Sequence, residues 1–218
     1  MVIFAILLIV YLTFMHWING QLMLKLISSQ EKKQFIKENY FYLWFFLILV
    51  GYVVLIGNIT LPTNPLKLTD YVFMFLFIYP FMINSHYNPH QSFKGVFSFC
   101  IVYPIGEELL YRGILSYLLI YFFNTNTILV PFPLLKEISL TVLITAICFA
   151  IMHVQYFKFK LDQIGIRKIM YAFVFGIVVG NIIEMSGSLL YGILFHIIAN
   201  SGATYFSYKR NNFKIKNG

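Results

Sequence analysis

Long apolar runs, separated by short polar stretches rich in lysine, fill this chain from end to end. A membrane-spanning helix needs about 20 predominantly apolar residues. Read at that length, the runs give seven candidate spans, at 1–24, 40–60, 71–84, 95–123, 137–157, 169–183 and 189–208. The pattern predicts an all-α protein, a polytopic bundle of about seven transmembrane helices. The third and sixth runs are short, and Pro80 and the Gly176-x-x-x-Gly180 spacing mark where each is expected to tilt or pack closely. The fourth is long for one span and is interrupted by Pro104. Proline removes a backbone donor and clashes with the preceding turn. Residues 93–103 are therefore expected to lie near the interface, with a fresh helix starting about Ile105.

The basic residues orient the bundle. With the N-terminus outside, the cytoplasmic segments hold Lys25, Lys32, Lys33, Lys37, Lys94, Lys158, Lys160, Arg167, Lys168, Lys209, Arg210, Lys214 and Lys216. That is 13 of the 16 basic residues, against Lys67 and Lys136 outside and Arg112 within a span, so the positive-inside rule favours N-out and C-in. The first run has no basic n-region or small-residue cleavage site, and it reads as a retained helix rather than a signal peptide. Pro62-Thr63-Asn64-Pro65 and Pro131-Phe132-Pro133 read as external, turn-rich loops.

Composition agrees with a membrane protein. The chain is 60% hydrophobic and 11% charged, with a mean hydropathy of +0.78. A net charge of +8 would suit a nucleic-acid partner, but the basic residues fall between apolar runs, where they set topology. The expected partners are therefore the lipid bilayer and a substrate within or beside it, with no nucleic acid. Cys100 and Cys148 are flanked by apolar residues and read as small core side chains, not a disulfide or metal framework.

Against that background the run Gly106-Glu107-Glu108-Leu109-Leu110-Tyr111-Arg112-Gly113 stands out, because it places two of only 8 acidic residues inside an apolar span. A lone charge at the centre of a membrane helix costs about 2.5–3.5 kcal/mol on insertion scales, and such charges usually mark ion paths, proton relays or chemistry. Side chains four apart share a helix face, so Glu108 and Arg112 can pair and support the site. Glu107 is turned about 100° away, onto the face of Tyr103 and Tyr111, and has no basic partner in its own helix. A partly desolvated, unpaired carboxylate suits general acid–base work, which makes Glu107 the candidate for the chemistry.

Two further spans carry histidine. His153 ends the run from Phe149, and His196 and Asn200 stand four apart in His196-Ile197-Ile198-Ala199-Asn200, facing one side of their helix. A carboxylate, two imidazoles and an amide on three helices can bind and deprotonate a water and stabilise the oxyanion formed at a peptide carbonyl. Glu107, His153 and His196 could equally hold a zinc ion, and the sequence does not separate metal-bound from glutamate-activated water. His16, His86 and His90 read as structural or interfacial, and Glu184 as a solvated residue at an external helix end.

These motifs, in this order and each in its own span, resemble those of the CAAX-prenyl-protease and bacteriocin-processing family, also called Abi. Its Glu-Glu-x-x-x-Arg, Phe-x-x-x-His and His-x-x-x-Asn signatures correspond here to Glu107 to Arg112, Phe149 to His153, and His196 to Asn200. The resemblance covers residues 95–208, which implies a catalytic core there, preceded by N-terminal spans in 1–94 and followed by a basic tail at 209–218. It implies an intramembrane endopeptidase needing no cofactor, in which Glu107 and His153 activate water. His196 and Asn200 would then stabilise the oxyanion, with Glu108 and Arg112 holding the site together. Eukaryotic relatives remove the last three residues of prenylated CAAX proteins. Bacterial relatives are linked to peptide maturation, bacteriocin immunity and pheromone export. Small size and a chain rich in Ile, Lys and Asn lean toward a bacterial plasma membrane.

Other protease chemistries fit worse. There is no His-Glu-x-x-His, the aspartates Asp70 and Asp162 fall in loops, and no Gly-x-Ser-x-Gly elbow is present. Two non-proteolytic readings stand beside the leading one: a membrane scaffold or immunity protein acting by binding, and a proton-coupled transporter. The lack of a detectable internal repeat weakens the transporter.

Overall fold

The computed structural model describes residues 2–84, 92–133, 135–157, 159 and 161–217. His86, His90, Lys158 and Lys160 lie outside the described residues, and of 211–217 only the backbone is described. Helices dominate, as the apolar runs predict: α1 (Val2–Leu26), α2 (Gln30–Leu55), α3 (Leu68–Asn84), α4 (Phe93–Phe97), α5 (Tyr103–Glu108), α6 (Ser116–Phe123), α7 (Leu140–Met152), α8 (Gln163–Ser186) and α9 (Leu189–Asn217). The protein is an all-α membrane protein with one small departure. The loop at Pro131 is a two-stranded antiparallel hairpin, β1 (Leu129–Phe132) with β2 (Lys136–Ser139), in which Leu129 pairs with Ser139 and Phe132 with Lys136.

Among the described residues, four helices are long and apolar enough to cross a membrane: Val2–Leu26, Gln30–Leu55, Gln163–Ser186 and Leu189–Arg210. Leu68–Ile83 and Leu140–Tyr156 are shorter apolar helices. The expected short sixth run is instead a full-length helix. Asp162 caps it by accepting from the Gly165 amide at 2.6 Å, so the helix starts ahead of Arg167 and Lys168 and carries them on its first turns.

Residues 93–123 form one helical column. The backbone does not restart near Ile105, because Val102 (φ −72°, ψ −42°) and Leu109 (φ −58°, ψ −41°) are both right-handed helical. A π-helical stretch, Ser98–Val102, lies immediately before Pro104, and a second, Leu109–Leu115, follows α5. The wider i→i+5 turn makes room for the proline ring without ending the helix. Asn124, in the left-handed conformation (φ 53°), then closes α6.

Close packing seats the column against its neighbours. On α8, Gly176 faces Ala146 and Gly180 faces Val142 of α7, so the predicted Gly-x-x-x-Gly spacing does bring two helices together. Gly106 receives the ring of Trp44 from α2. A core of Tyr111, Phe149, Trp44, Leu109 and Leu115 joins α1, α2, the column and α7, while Met74, Ile78 and Phe195 join α3 to α8 and α9.

At one end of the bundle, the loop before α3 is tied to the α8–α9 turn. The Thr63 amide donates to the Ser186 carbonyl at 3.0 Å, and the Ser188 hydroxyl donates to the Thr60 carbonyl. Gly187 turns the chain here with φ 68°, and a Cβ would lie 2.6 Å from Thr63 Oγ1. At the other end, Lys94 donates to Asn39 at 2.9 Å and Arg210 to the Ile83 carbonyl at 3.0 Å.

Candidate active site

Glu107 and Glu108 are both buried in α5, and the helix turns them toward different partners. Glu108 Oε1 accepts from Arg112 Nη1 at 3.2 Å, the pair expected from the four-residue spacing. The same oxygen lies 2.8 Å from His196 Nδ1, so one carboxylate oxygen joins the column to α9. Arg112 is fully enclosed, and its guanidinium lies over the Phe149 ring at 4.4 Å. Two glycines leave space around this pair. A Cβ on Gly192 would lie 3.2 Å from Glu108 Oε2, and one on Gly176 would lie 3.2 Å from Arg112 Nη2.

Glu107 faces away from this pair, into a cavity of about 390 Å³. Its Oε2 lies 3.6 Å from His196 Nε2, and its Oε1 accepts a long hydrogen bond of 3.4 Å from the Tyr156 hydroxyl. His196 thus lies between the two glutamates, with Nδ1 toward Glu108 and Nε2 toward Glu107.

His153 closes α7. Its Nδ1 lies 2.8 Å from the Phe149 carbonyl, which can only accept, so Nδ1 carries the proton and Nε2 of the neutral ring offers a lone pair. Asn200 donates through Nδ2 to the Phe99 carbonyl at 2.9 Å. This fixes the amide and leaves its second N–H to serve another acceptor. Glu107, His153, His196 and Asn200 all line the same cavity. The structure therefore brings the four residues proposed for catalysis to one space and sets Glu108 and Arg112 behind them.

Sequence reasoning missed several parts of this wall. Tyr156 follows His153 by three residues in a 3₁₀ turn, where side chains at that spacing eclipse, and the ring centroids are 5.6 Å apart. That spacing was the available signal, hidden among 16 tyrosines. Phe149, already named in the Phe-x-x-x-His signature but given no part of its own there, joins three elements of the site, with ring centroids 4.8 Å from His153 and 5.8 Å from His196 and its face under Arg112. Phe175 of α8 backs His196 at 4.9 Å.

A family profile described as type II CAAX prenyl endopeptidase Rce1-like matches residues 89–202, just over half of the 218 residues. The chain belongs to that family. The match includes Glu107, Glu108, Arg112, His153, His196 and Asn200, and it agrees with the resemblance carried by the three motifs. As a member of the Rce1-like family the chain is an integral membrane protein of the CAAX-type intramembrane protease class, and its substrates are expected at the membrane. No curated protein and no solved structure gives a significant match to it.

Among the described residues, no three His, Cys, Asp or Glu side chains are grouped so that they could hold a metal ion. Glu107, His153 and His196 share the cavity but do not meet as a ligand set, and His196 turns both nitrogens toward carboxylates.

Proposed function

We propose that the chain is a membrane endopeptidase in which Glu107 activates a water for attack on a peptide carbonyl. The observation that carries this reading is the convergence of Glu107, His153, His196 and Asn200 on one cavity in a chain of this family. Glu107 takes one proton of the water, while His153 Nε2 accepts a hydrogen bond from the other and aims the oxygen. The oxyanion that forms is met by the second amide N–H of Asn200 and by Nε2–H of His196. His196 Nδ1 already faces Glu108, so Nε2 can donate only when both ring nitrogens carry a proton. Glu107 then passes its proton to the leaving amine, so the step needs no external acid.

The bundle sits N-out and C-in with seven crossings, which puts the His153 end of the cavity toward the cytoplasm. Substrates arrive from the bilayer or cytosol as a peptide precursor or a lipidated C-terminus, in a bacterial plasma membrane. The test compares peptide pools from membranes carrying the wild type or Glu107→Gln at matched levels. A peptide terminus present only with wild type is the expected result. Identical pools in a strain where the protein has a phenotype would move the function to binding, as in a scaffold or an immunity protein.

A further inference from the structure

A second cluster of polar side chains lies on α1 and α2, the two helices that come first in the chain and precede the matched residues 89–202. Tyr40 and Trp44 stand one turn apart on α2 and are only 7% and 3% exposed. His16 of α1 meets both rings in T-shaped contacts, at centroid distances of 5.2 Å and 5.5 Å. His16 Nε2, the Tyr40 hydroxyl and Trp44 Nε1 are all enclosed, and none has a hydrogen-bond partner among the described residues. An unpaired polar group is costly away from water, and hydrocarbon supplies nothing to pair with it.

The three groups suit one small ligand. An indole N–H only donates, a phenol both donates and accepts, and Nε2 of a neutral imidazole takes either part. A water molecule can accept from Trp44, donate to His16 and share a hydrogen bond of either sense with Tyr40. That is the usual complement of a buried water, about three bonds. A metal ion does not fit, because the indole N–H has no lone pair to give.

The neighbouring rings back the helix face that carries Glu107. Trp44 packs onto Gly106, where a Cβ would lie 2.7 Å from the indole, and Phe41 stacks on Tyr103 at 3.5 Å. Nearly one turn before His16, the Thr13 carbonyl accepts from the Tyr111 hydroxyl at 3.2 Å. Tyr103, Glu107 and Tyr111 are spaced four apart, so α1 and α2 hold that face on either side of the glutamate.

We infer that His16, Tyr40 and Trp44 form a water-binding site between α1 and α2, and that His16 is thereby a positioning residue for the segment bearing Glu107. The site is separate from the catalytic cavity, which none of these three residues lines. Its purpose rests on the endopeptidase reading, but its test needs no cleavage.

The full chain is studied in lipid vesicles with isotope-labelled tryptophan. Its two tryptophans are Trp17 and Trp44, so Trp17→Phe leaves a single indole signal. Solid-state NMR then reads magnetisation transfer from water to the Trp44 Nε1 proton. The expected result is transfer in this parent protein, lost in His16→Leu and kept in His16→Gln, whose amide can both donate and accept. No transfer in the parent overturns the inference. Transfer that survives His16→Leu overturns it too, since the source is then the Tyr40 hydroxyl or water that His16 does not hold. Equal loss in His16→Gln would mean that the shape of the ring matters and not its hydrogen bond, which also overturns it. Backbone amide exchange tests the positioning. Residues 99–111 should exchange about tenfold faster in His16→Leu, with α8 and α9 unchanged and His16→Gln close to the parent. Unchanged exchange at 99–111, or equal acceleration in every helix, would remove His16 from any part in positioning Glu107.

Discussion

His196 Nδ1 lies 2.8 Å from Glu108 Oε1, and the same oxygen lies 3.2 Å from Arg112 Nη1. The second glutamate of the motif is therefore more than the partner of the arginine one turn away. It fixes which ring nitrogen of His196 faces inward and so orients the other nitrogen toward Glu107.

Glu108→Gln keeps the shape of the side chain but replaces the carboxylate that holds both His196 Nδ1 and Arg112 Nη1. The expected outcome is a fall in kcat of about 10–100-fold, the range found when a partner that orients a catalytic ligand is lost. KM should change little, since Glu108 does not line the cavity. Steady-state cleavage of the peptide identified with wild type checks this, and an unchanged kcat would return Glu108 to a purely structural part.

Arg112 is enclosed, with Glu108 and the Phe149 ring as its neighbours. Breaking a buried ion pair by removing one partner costs about 3–5 kcal/mol, because the remaining charge is left uncompensated. Arg112→Ala should therefore lower the unfolding free energy in detergent by that order and reduce the amount of protein in the membrane. Arg112→Lys should restore only part of the loss, since an ammonium cannot spread flat over the phenyl ring as guanidinium does. Equal stability of the alanine variant would mean that the pair contributes nothing to folding.

Asn200 and Tyr156 both touch the reacting region but through contacts of different quality. Asn200 is held by its 2.9 Å bond to the Phe99 carbonyl, whereas the Tyr156 hydroxyl reaches Glu107 only at 3.4 Å. Asn200→Ala should reduce kcat by about 10²–10³-fold, the effect of losing one oxyanion donor. Tyr156→Phe should reduce it far less, because a bond that long contributes little orientation. The reverse ranking would identify Tyr156 as the principal donor and remove Asn200 from the proposed oxyanion site.

Much of the site was legible because its residues obey local spacing. Glu108 and Arg112 are one helical turn apart, as are His196 and Asn200, so helix geometry alone puts each pair on one face. The bond between Glu108 and His196 spans 88 residues of sequence and depends on how α9 packs against the column, which no local pattern encodes. The π-helical turns flanking α5 escaped for a related reason. Pro104 signals that the ladder must be interrupted, but only the packing of Trp44 on Gly106 and of the column on α9 decides between a break and a widened turn. Pro131-Phe132-Pro133 reads as a turn-rich loop in the sequence and 137–139 as the start of a span, whereas 129–132 and 136–139 pair as a hairpin. The ladder is only four residues long, and it admits a proline because a two-stranded sheet has edges on both sides.

The closeness of α7 and α8 gives a prediction of opposite sign at two glycines. A Cβ on Gly176 would lie 2.9 Å from Ala146 Cβ and 3.2 Å from Arg112 Nη2, so the added methyl must push either the α7 backbone or the buried guanidinium. Overpacking of this kind typically costs about 1–3 kcal/mol. Here it also moves the group that holds Glu108, so activity should fall together with stability. Gly51 of α2 also lies within a helix, but its added Cβ would meet only Ile114 Cδ1, at 3.5 Å, which is ordinary contact. There the gain in helix preference should prevail, by about 0.5–1 kcal/mol. Thermal unfolding in detergent, with cleavage measured on the same samples, should show Gly176→Ala below wild type in both and Gly51→Ala at or above it. If Gly176→Ala proves as stable and active as Gly51→Ala, α8 can shift away from α7 at little cost, and the tight α7–α8 contact is not what holds Arg112 in place.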